Sequence, residues 1–165
     1  MIAEEWRERI ATLSIGVTAI QPDTSNALVE TVIAEMLQLN SCAIEDQLRS
    51  GVQMNEDGSL QSWKLDQCSL EVLPECFGAV QTTQDLSLDD NQLTRLPESI
   101  GQLVVGGTLS LVSNSLQELP VAFQQVSVGG NVQLSNNPLE NADISGFSFP
   151  NVQGDVITMK EVPKL

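Results

Sequence analysis

The chain has 165 residues, with 22 acidic and 7 basic side chains and a formal charge of −15. That charge repels a phosphate backbone and an anionic membrane surface, so nucleic acid and charged lipid are set aside as partners, and a basic or neutral protein is expected instead. There is no histidine and no tyrosine, which removes His-dependent triads, His-Glu-x-x-His zinc sites and every histidine acid–base scheme.

The start, Met1-Ile-Ala-Glu-Glu-Trp-Arg-Glu, lacks the basic and apolar regions of a secretory signal. No apolar run approaches the roughly 18 residues of a membrane helix. A cytoplasmic protein without membrane insertion is therefore expected. Three scattered cysteines, Cys42, Cys68 and Cys76, fit reduced thiols rather than a disulfide framework or a Cys-x-x-Cys metal site.

Residues 1–58 read as a small helical region. Ile2, Trp6, Ile10 and Leu13 form one apolar stripe, with Glu5 and Arg9 as an i,i+4 pair. Gly16 and Pro22 interrupt it. A clearer stripe comes next in Val29, Val32, Ile33, Met36 and Leu37, with Asp23, Thr24 or Ser25 as a candidate cap. Asn40 or Ser41 ends it and opens a shorter helix with Ile44 and Leu48 on one face, stopped at Gly51. Asn55-Glu-Asp-Gly58 reads as a turn. Narrow stripes over so few residues cannot bury much alone, so the region is expected to cap the C-terminal two-thirds of the chain.

Residues 59–165 carry a pattern with a period of 23. Leu65, Leu88, Leu111 and Leu134 are in phase, and so are Leu70, Leu93, Leu116 and Leu139. Leu73-Pro74, Leu96-Pro97 and Leu119-Pro120 recur, then Phe77, Ile100 and Phe123. An asparagine recurs as Asn91, Asn114 and Asn137, with Cys68 in that slot of the first unit. The fourth unit has Ala142-Asp143 where Leu-Pro would stand. Val152-Gln-Gly154-Asp-Val156-Ile157 echoes Val128-Gly-Gly130-Asn-Val132-Gln133 at an offset of 24 and reads as a closing strand. Lys160, Pro163 and Lys164 after it suit a protected sheet edge.

Such a period makes each Leu-x-Leu a short strand whose leucines face one way, and successive copies pair in parallel. The asparagine amide satisfies the backbone where the chain leaves the strand, and stacked copies form a ladder. Proline holds the return path extended. Val104-Val105 and Val126-Ser-Val128, each next to a Gly-Gly pair, suggest a second row of short strands ending in glycine turns. Neither glycine pair opens a helix with the Lys and Ser/Thr of a phosphate loop. Trp63 takes a leucine slot and is expected in the core.

These residues resemble the leucine-rich-repeat superfamily, in its 23-residue Leu-Pro type. The stretch Leu86 to Leu103 fits that motif almost throughout. The resemblance covers roughly residues 60–140, with a tail to about 158. It implies an α/β solenoid: a right-handed superhelix with a parallel sheet on its concave side, a mostly β and loop convex side, and a helical cap in front. It also implies protein binding.

The concave positions alternate with the leucines. They are Ser62, Lys64, Asp66 and Gln67; Asp85, Ser87, Asp89 and Asp90; Thr108, Ser110, Val112 and Ser113; and Asn131, Gln133, Ser135 and Asn136. The face is small, polar and acidic at one end, and lacks the Trp, Tyr and Arg anchors of most interfaces. Asp85, Asp89 and Asp90 invite a calcium reading, but a hard cation wants six or more oxygens, and carboxylates on a strand more often form a solvated patch. No cofactor and no catalysis are expected. The leading expectation is an adaptor or scaffold binding a protein through this face. The alternatives are a structural subunit of a larger assembly and a recognition fragment of a larger signalling or ligase protein.

Overall fold

Proline opens the first element. In the computed structural model, which describes residues 22–41, 43–139 and 147–158, helix α1 runs Pro22–Leu39. A proline tolerates the first helical position because the N–H it lacks would have no partner there. Asp23, Thr24 and Ser25 therefore lie inside the first turn instead of capping it. Val29, Val32, Ile33 and Met36 form the buried stripe, with Leu37 packed against the core. The stripe Ile2–Leu13, the pair Glu5–Arg9, Gly16, Cys42, Ala142-Asp143, Lys160, Pro163 and Lys164 lie outside the described residues.

Helix α2, Glu45–Ser50, corrects one expectation. Leu48 is buried, but Ile44 stands outside the helix with extended dihedrals (φ −111°, ψ 120°) and is 53% exposed. An extended residue is not in helical phase with Leu48, so the two do not share a face. Gly51 does end α2, for a reason other than a left-handed turn. Its φ is −79°, and a Cβ there would lie 1.8 Å from the Lys64 carbonyl oxygen. Arg49 ties α2 to α1 by an ion pair to Glu30, and pairs within α2 with Glu45 at 2.7 Å.

Strands β1 (Val52–Met54) and β2 (Leu60–Lys64) form an antiparallel hairpin with Val52 opposite Trp63. The expected turn joins them. The Gly58 N–H donates to the Asn55 carbonyl at 3.0 Å, and Gly58 has φ 82°. Strand β1 was not foreseen, because three residues show no period and lie in the stretch read as helical.

From β2 onward the 23-residue period becomes hydrogen-bonded geometry. Strands β3 (Gln81–Thr82), β4 (Leu86–Ser87), β5 (Val104–Val105), β6 (Leu109–Ser110), β7 (Ser127–Val128), β8 (Val132–Gln133) and β9 (Val156–Ile157) make two sheets. The larger has the order β1-β2-β4-β6-β8-β9, and the smaller β3-β5-β7. All pairs except β1–β2 are parallel. Trp63 pairs Leu86, Leu86 pairs Leu109 and Leu109 pairs Val132, each 23 residues on. Val132 pairs Val156 at the expected offset of 24, as does the bridge Val128–Val152. The fold is mixed α/β with a mostly parallel main sheet.

Between the sheets each of the first three units makes a single 3-10 turn: η1 (Glu75–Ala79), η2 (Glu98–Gln102) and η3 (Val121–Gln125). Pro74, Pro97 and Pro120 precede them in the extended conformation, with φ near −65° and ψ of 149° to 156°. The prolines act as expected, but the path beyond them is helical for one turn, where strand and loop were anticipated. Phe77, Ile100 and Phe123 sit on these turns and are buried. They meet Leu65, Leu88 and Leu111 from the sheet side in one core. Trp63 is fully buried, with its ring 6.3 Å from Phe77 and its Nε1 donating to the Leu48 carbonyl at 2.9 Å. Glycine is required at the corners between the sheets. A Cβ on Gly106 would lie 2.2 Å from the Thr83 carbonyl oxygen, and one on Gly129 2.2 Å from that of Gly106.

Leu111 is 1% exposed in a central layer flanked on both sides. Leu111→Ala is expected to cost roughly 2–5 kcal/mol in equilibrium denaturation. A variant as stable as wild type would contradict this layer assignment.

Candidate functional site on the exposed face of the large sheet

Parallel pairing at a fixed offset brings equivalent residues into rows across the sheet. One row is Lys64, Ser87, Ser110 and Gln133, in direct register. On one side of it lie Asp85, Thr108 and Asn131. On the other lie Asp66, Asp89, Val112 and Ser135, and then a corner row, Gln67, Asp90, Ser113 and Asn136. The corner row has φ of 55° to 57° throughout. That left-handed step turns the chain off the strand, and short polar residues bear it better than branched ones.

Three acidic residues of this face, Asp66, Asp85 and Asp89, are structural acceptors. The Asp66 carboxylate accepts the Asp89 N–H at 3.0 Å and the Ser87 hydroxyl. The Asp89 carboxylate accepts the Val112 N–H at 2.8 Å and the Ser110 hydroxyl at 2.5 Å. Asp85 accepts the Thr108 N–H at 2.8 Å, and Asn131 the Asp155 N–H at 2.9 Å. Each reaches forward to the next unit. The row of carboxylates stops at Val112, which has nothing to accept with. Asp85, Asp89 and Asp90 therefore form no cation cage, and among the described residues no group of three or more His, Cys, Asp or Glu side chains is placed to hold a metal.

Exposure divides the expected contact residues. Lys64, Asp66, Gln67, Asp85, Asp90 and Asn136 are exposed. Ser87, Asp89, Val112, Ser113, Gln133 and Ser135 are half-buried. Ser110 and Ser62 are buried and offer little to a partner. Both spend their hydroxyls inside the fold: Ser110 donates to the Asp89 carboxylate at 2.5 Å and Ser62 to the Gln53 Oε1 at 3.0 Å.

Behind the face runs the amide ladder, and it reaches backward. Asn91 Nδ2 donates to the Leu65 carbonyl of the preceding unit at 2.8 Å and to its own Leu88 carbonyl at 2.9 Å. Its Oδ1 accepts the Cys68 and Leu70 N–H groups, both at 3.0 Å. Asn114 bonds Leu88, Leu111 and Leu93 in the same way, and Asn137 bonds Leu111, Leu134 and Leu116. Cys68 can replace asparagine because the residues one period before it belong to α2, not to a strand whose corner needs an amide.

Cys68 and Cys76 are free, buried thiols. Burial pushes the Cys68 thiol up, with the Asp66 charge adding to it. Burial, with help from the Glu35 carboxylate of α1, pushes Cys76 up to about 12.

Asn40 follows the end of α1 as expected, but neither it nor Ser41 caps α2, which Ile44 precedes, and the reach of the Asn40 side chain to the first unit was not foreseen. Asn40 is buried, and its side chain makes four hydrogen bonds, two of them to Val72. No repeat signal marks it, since it stands outside the period. The forward acceptors had a signal: Asp66 and Asp89, like Ser87 and Ser110, are 23 apart. No family model and no curated protein sequence matches the chain.

Two adjacent acids should separate in denaturation. Asp89→Ala is expected to cost on the order of 1–2 kcal/mol because the Val112 N–H and Ser110 hydroxyl lose their acceptor, while Asp90→Asn stays within about 0.5 kcal/mol. Equal effects would remove the forward acceptor role. Cys76 also gives stability a pH dependence. Its thiol holds its proton more tightly folded than unfolded, so stability falls as pH rises from the ordinary 9.0 toward about 12. Cys76→Ala should flatten that decline, and an unchanged alkaline slope would contradict it.

Proposed function

We propose that the chain is a leucine-rich-repeat solenoid that works as a non-catalytic protein-binding adaptor or scaffold. The observation that carries this reading is the main sheet, in which strands 23 residues apart pair in parallel and hold rows of polar side chains in register. Such a face can contact an extended partner along its length at little ordering cost, because the backbone beneath is fixed. With Asp66, Asp85 and Asp89 each bonded to the next unit, recognition falls to the exposed Lys64, Gln67 and Asp90 and to the edge of Gln133. The net charge of −15 favours a basic or neutral partner. Among the described residues no helix is long and apolar enough to cross a membrane.

A second reading, a subunit held inside a larger assembly, draws support from the far end of the sheet. There Phe147, Phe149, Val152 and Val156 are only half-buried, whereas the leucines of the inner layers are fully buried.

The test is crosslinking and capture with wild type beside a Lys64→Glu, Gln133→Arg double variant. Lys64 takes no part in either ladder and Gln133 accepts only a long 3.5 Å bond from the Ser110 hydroxyl, which keeps its Asp89 acceptor, so stability should change by about 0.5 kcal/mol or less. A protein partner held by wild type and lost from the variant supports the sheet-face reading. A partner held equally by both contradicts it and favours docking through the end of the sheet.

A further inference from the structure

Elsewhere in the chain, neighbouring units are joined by many backbone hydrogen bonds. The second unit is joined to the first through Trp63 to Asp85, Leu65 to Ser87, Gln67 to Asp89, Gln84 to Gln61 and Gln92 to Leu70, among others. The junction between α1 and the first unit is different. Among the described residues, α1 and the residue after it are hydrogen-bonded to that unit by one side chain, Asn40. Its Oδ1 accepts the Glu71 N–H at 2.7 Å and the Val72 N–H at 2.9 Å, and its Nδ2 donates to the Val72 carbonyl at 2.9 Å. A fourth bond, Nδ2 to the Met36 carbonyl at 2.9 Å, anchors the amide to the last turn of α1.

The slot that Asn40 fills belongs to a missing unit. Gln117, two periods after Glu71, gives its N–H to the Thr94 carbonyl of the unit before it. Glu71 has no unit before it, and Asn40 supplies the acceptor instead. The rest of the junction is apolar: Val29, Val32, Ile33 and Met36 on one side, Cys76 and Phe77 of η1 on the other. Among the described residues, Arg49 of α2 reaches α1 only through an exposed ion pair to Glu30, its pair with Glu45 lying within α2, and an exposed pair adds little to the hold on α1.

We propose that Asn40 is the latch of a detachable end cap: α1 opens from the first unit while α2, held there by Trp63 Nε1 to the Leu48 carbonyl and by the Lys64 N–H to the Gly51 carbonyl, stays folded with the later units, and opening uncovers the Cys76 thiol. A junction with one hydrogen-bonding side chain opens at lower free energy than junctions laced by backbone bonds, which is how a structure divides into separate opening units. The apolar stripe of α1 keeps the open state a minor one.

The experiment is native-state alkylation of the full chain, mapped by peptide mass spectrometry to Cys76, together with amide hydrogen exchange. In wild type, Cys76 should react through an opening of lower free energy than global unfolding. Equality of the two would overturn the proposal, and this arm stands even if a variant fails to fold. Asn40→Ala should raise the Cys76 rate by about tenfold or more, from the loss of its bonds to Glu71 and Val72. Exchange at Leu111, Ser113 and Leu134 should stay as in wild type. Asn40→Asp, which keeps the acceptor and loses the donor, should fall between. An unchanged Cys76 rate in Asn40→Ala, or a rise matched by faster exchange at Leu111 and Leu134, would overturn the latch.

Discussion

A buried side-chain amide that serves two units at once is the constraint on which the rest of this structure depends. Where each unit leaves the main sheet, its backbone turns through a left-handed residue and would leave N–H and C=O groups unpaired inside the protein. Asn91, Asn114 and Asn137 meet that need with both ends of the amide, one turned to their own unit and both to the unit before. An unmet buried group would cost about 1–3 kcal/mol at each corner. Because the amide must reach both units, the strands cannot slip in register, and the leucine layers are set by the same spacing. Gly106 and Gly129 obey the same constraint, since units held that closely leave no room for a Cβ at the corners.

The parts of the fold governed by the period were legible in the sequence. The leucine layers, the asparagine ladder, the extended prolines, the second row of strands and the closing strand at an offset of 24 all repeat, and each repetition is independent support for one register. The parts outside the period were not. Three residues of β1 pair only because the hairpin at Asn55–Gly58 folds them onto β2. Ile44 fell out of phase because the helix begins one residue later. The one-turn helices after each proline have too few residues to display a period of their own. Asn40 was read only as a helix end because its partners, Glu71 and Val72, are 31 and 32 residues away.

The face of the main sheet was harder to read than the core behind it. Its positions can be derived from alternation, but the use of each side chain cannot. Asp66, Asp85 and Asp89 have the composition of a binding patch and are bonded to the backbone of the next unit. Acceptors of this kind reach forward while the amides reach backward, so the second unit, which carries Asp85, Asp89 and Asn91, is tied on both sides. Much of the negative charge on the sheet is thereby built into the fold, and the residues left to choose a partner are few. This matches the absence of large aromatic anchors on that face.

The backward reach of the amides can be tested one unit at a time. The direct measurement is residue-resolved amide exchange in Asn91→Ala compared with wild type. Protection should fall at Cys68 and Leu70, in the preceding unit, and persist at Leu93 and Leu116, which depend on Asn114 and Asn137. Loss confined to the residues around position 91, or loss spread evenly through all four, would contradict an amide ladder that joins each unit to the one before it.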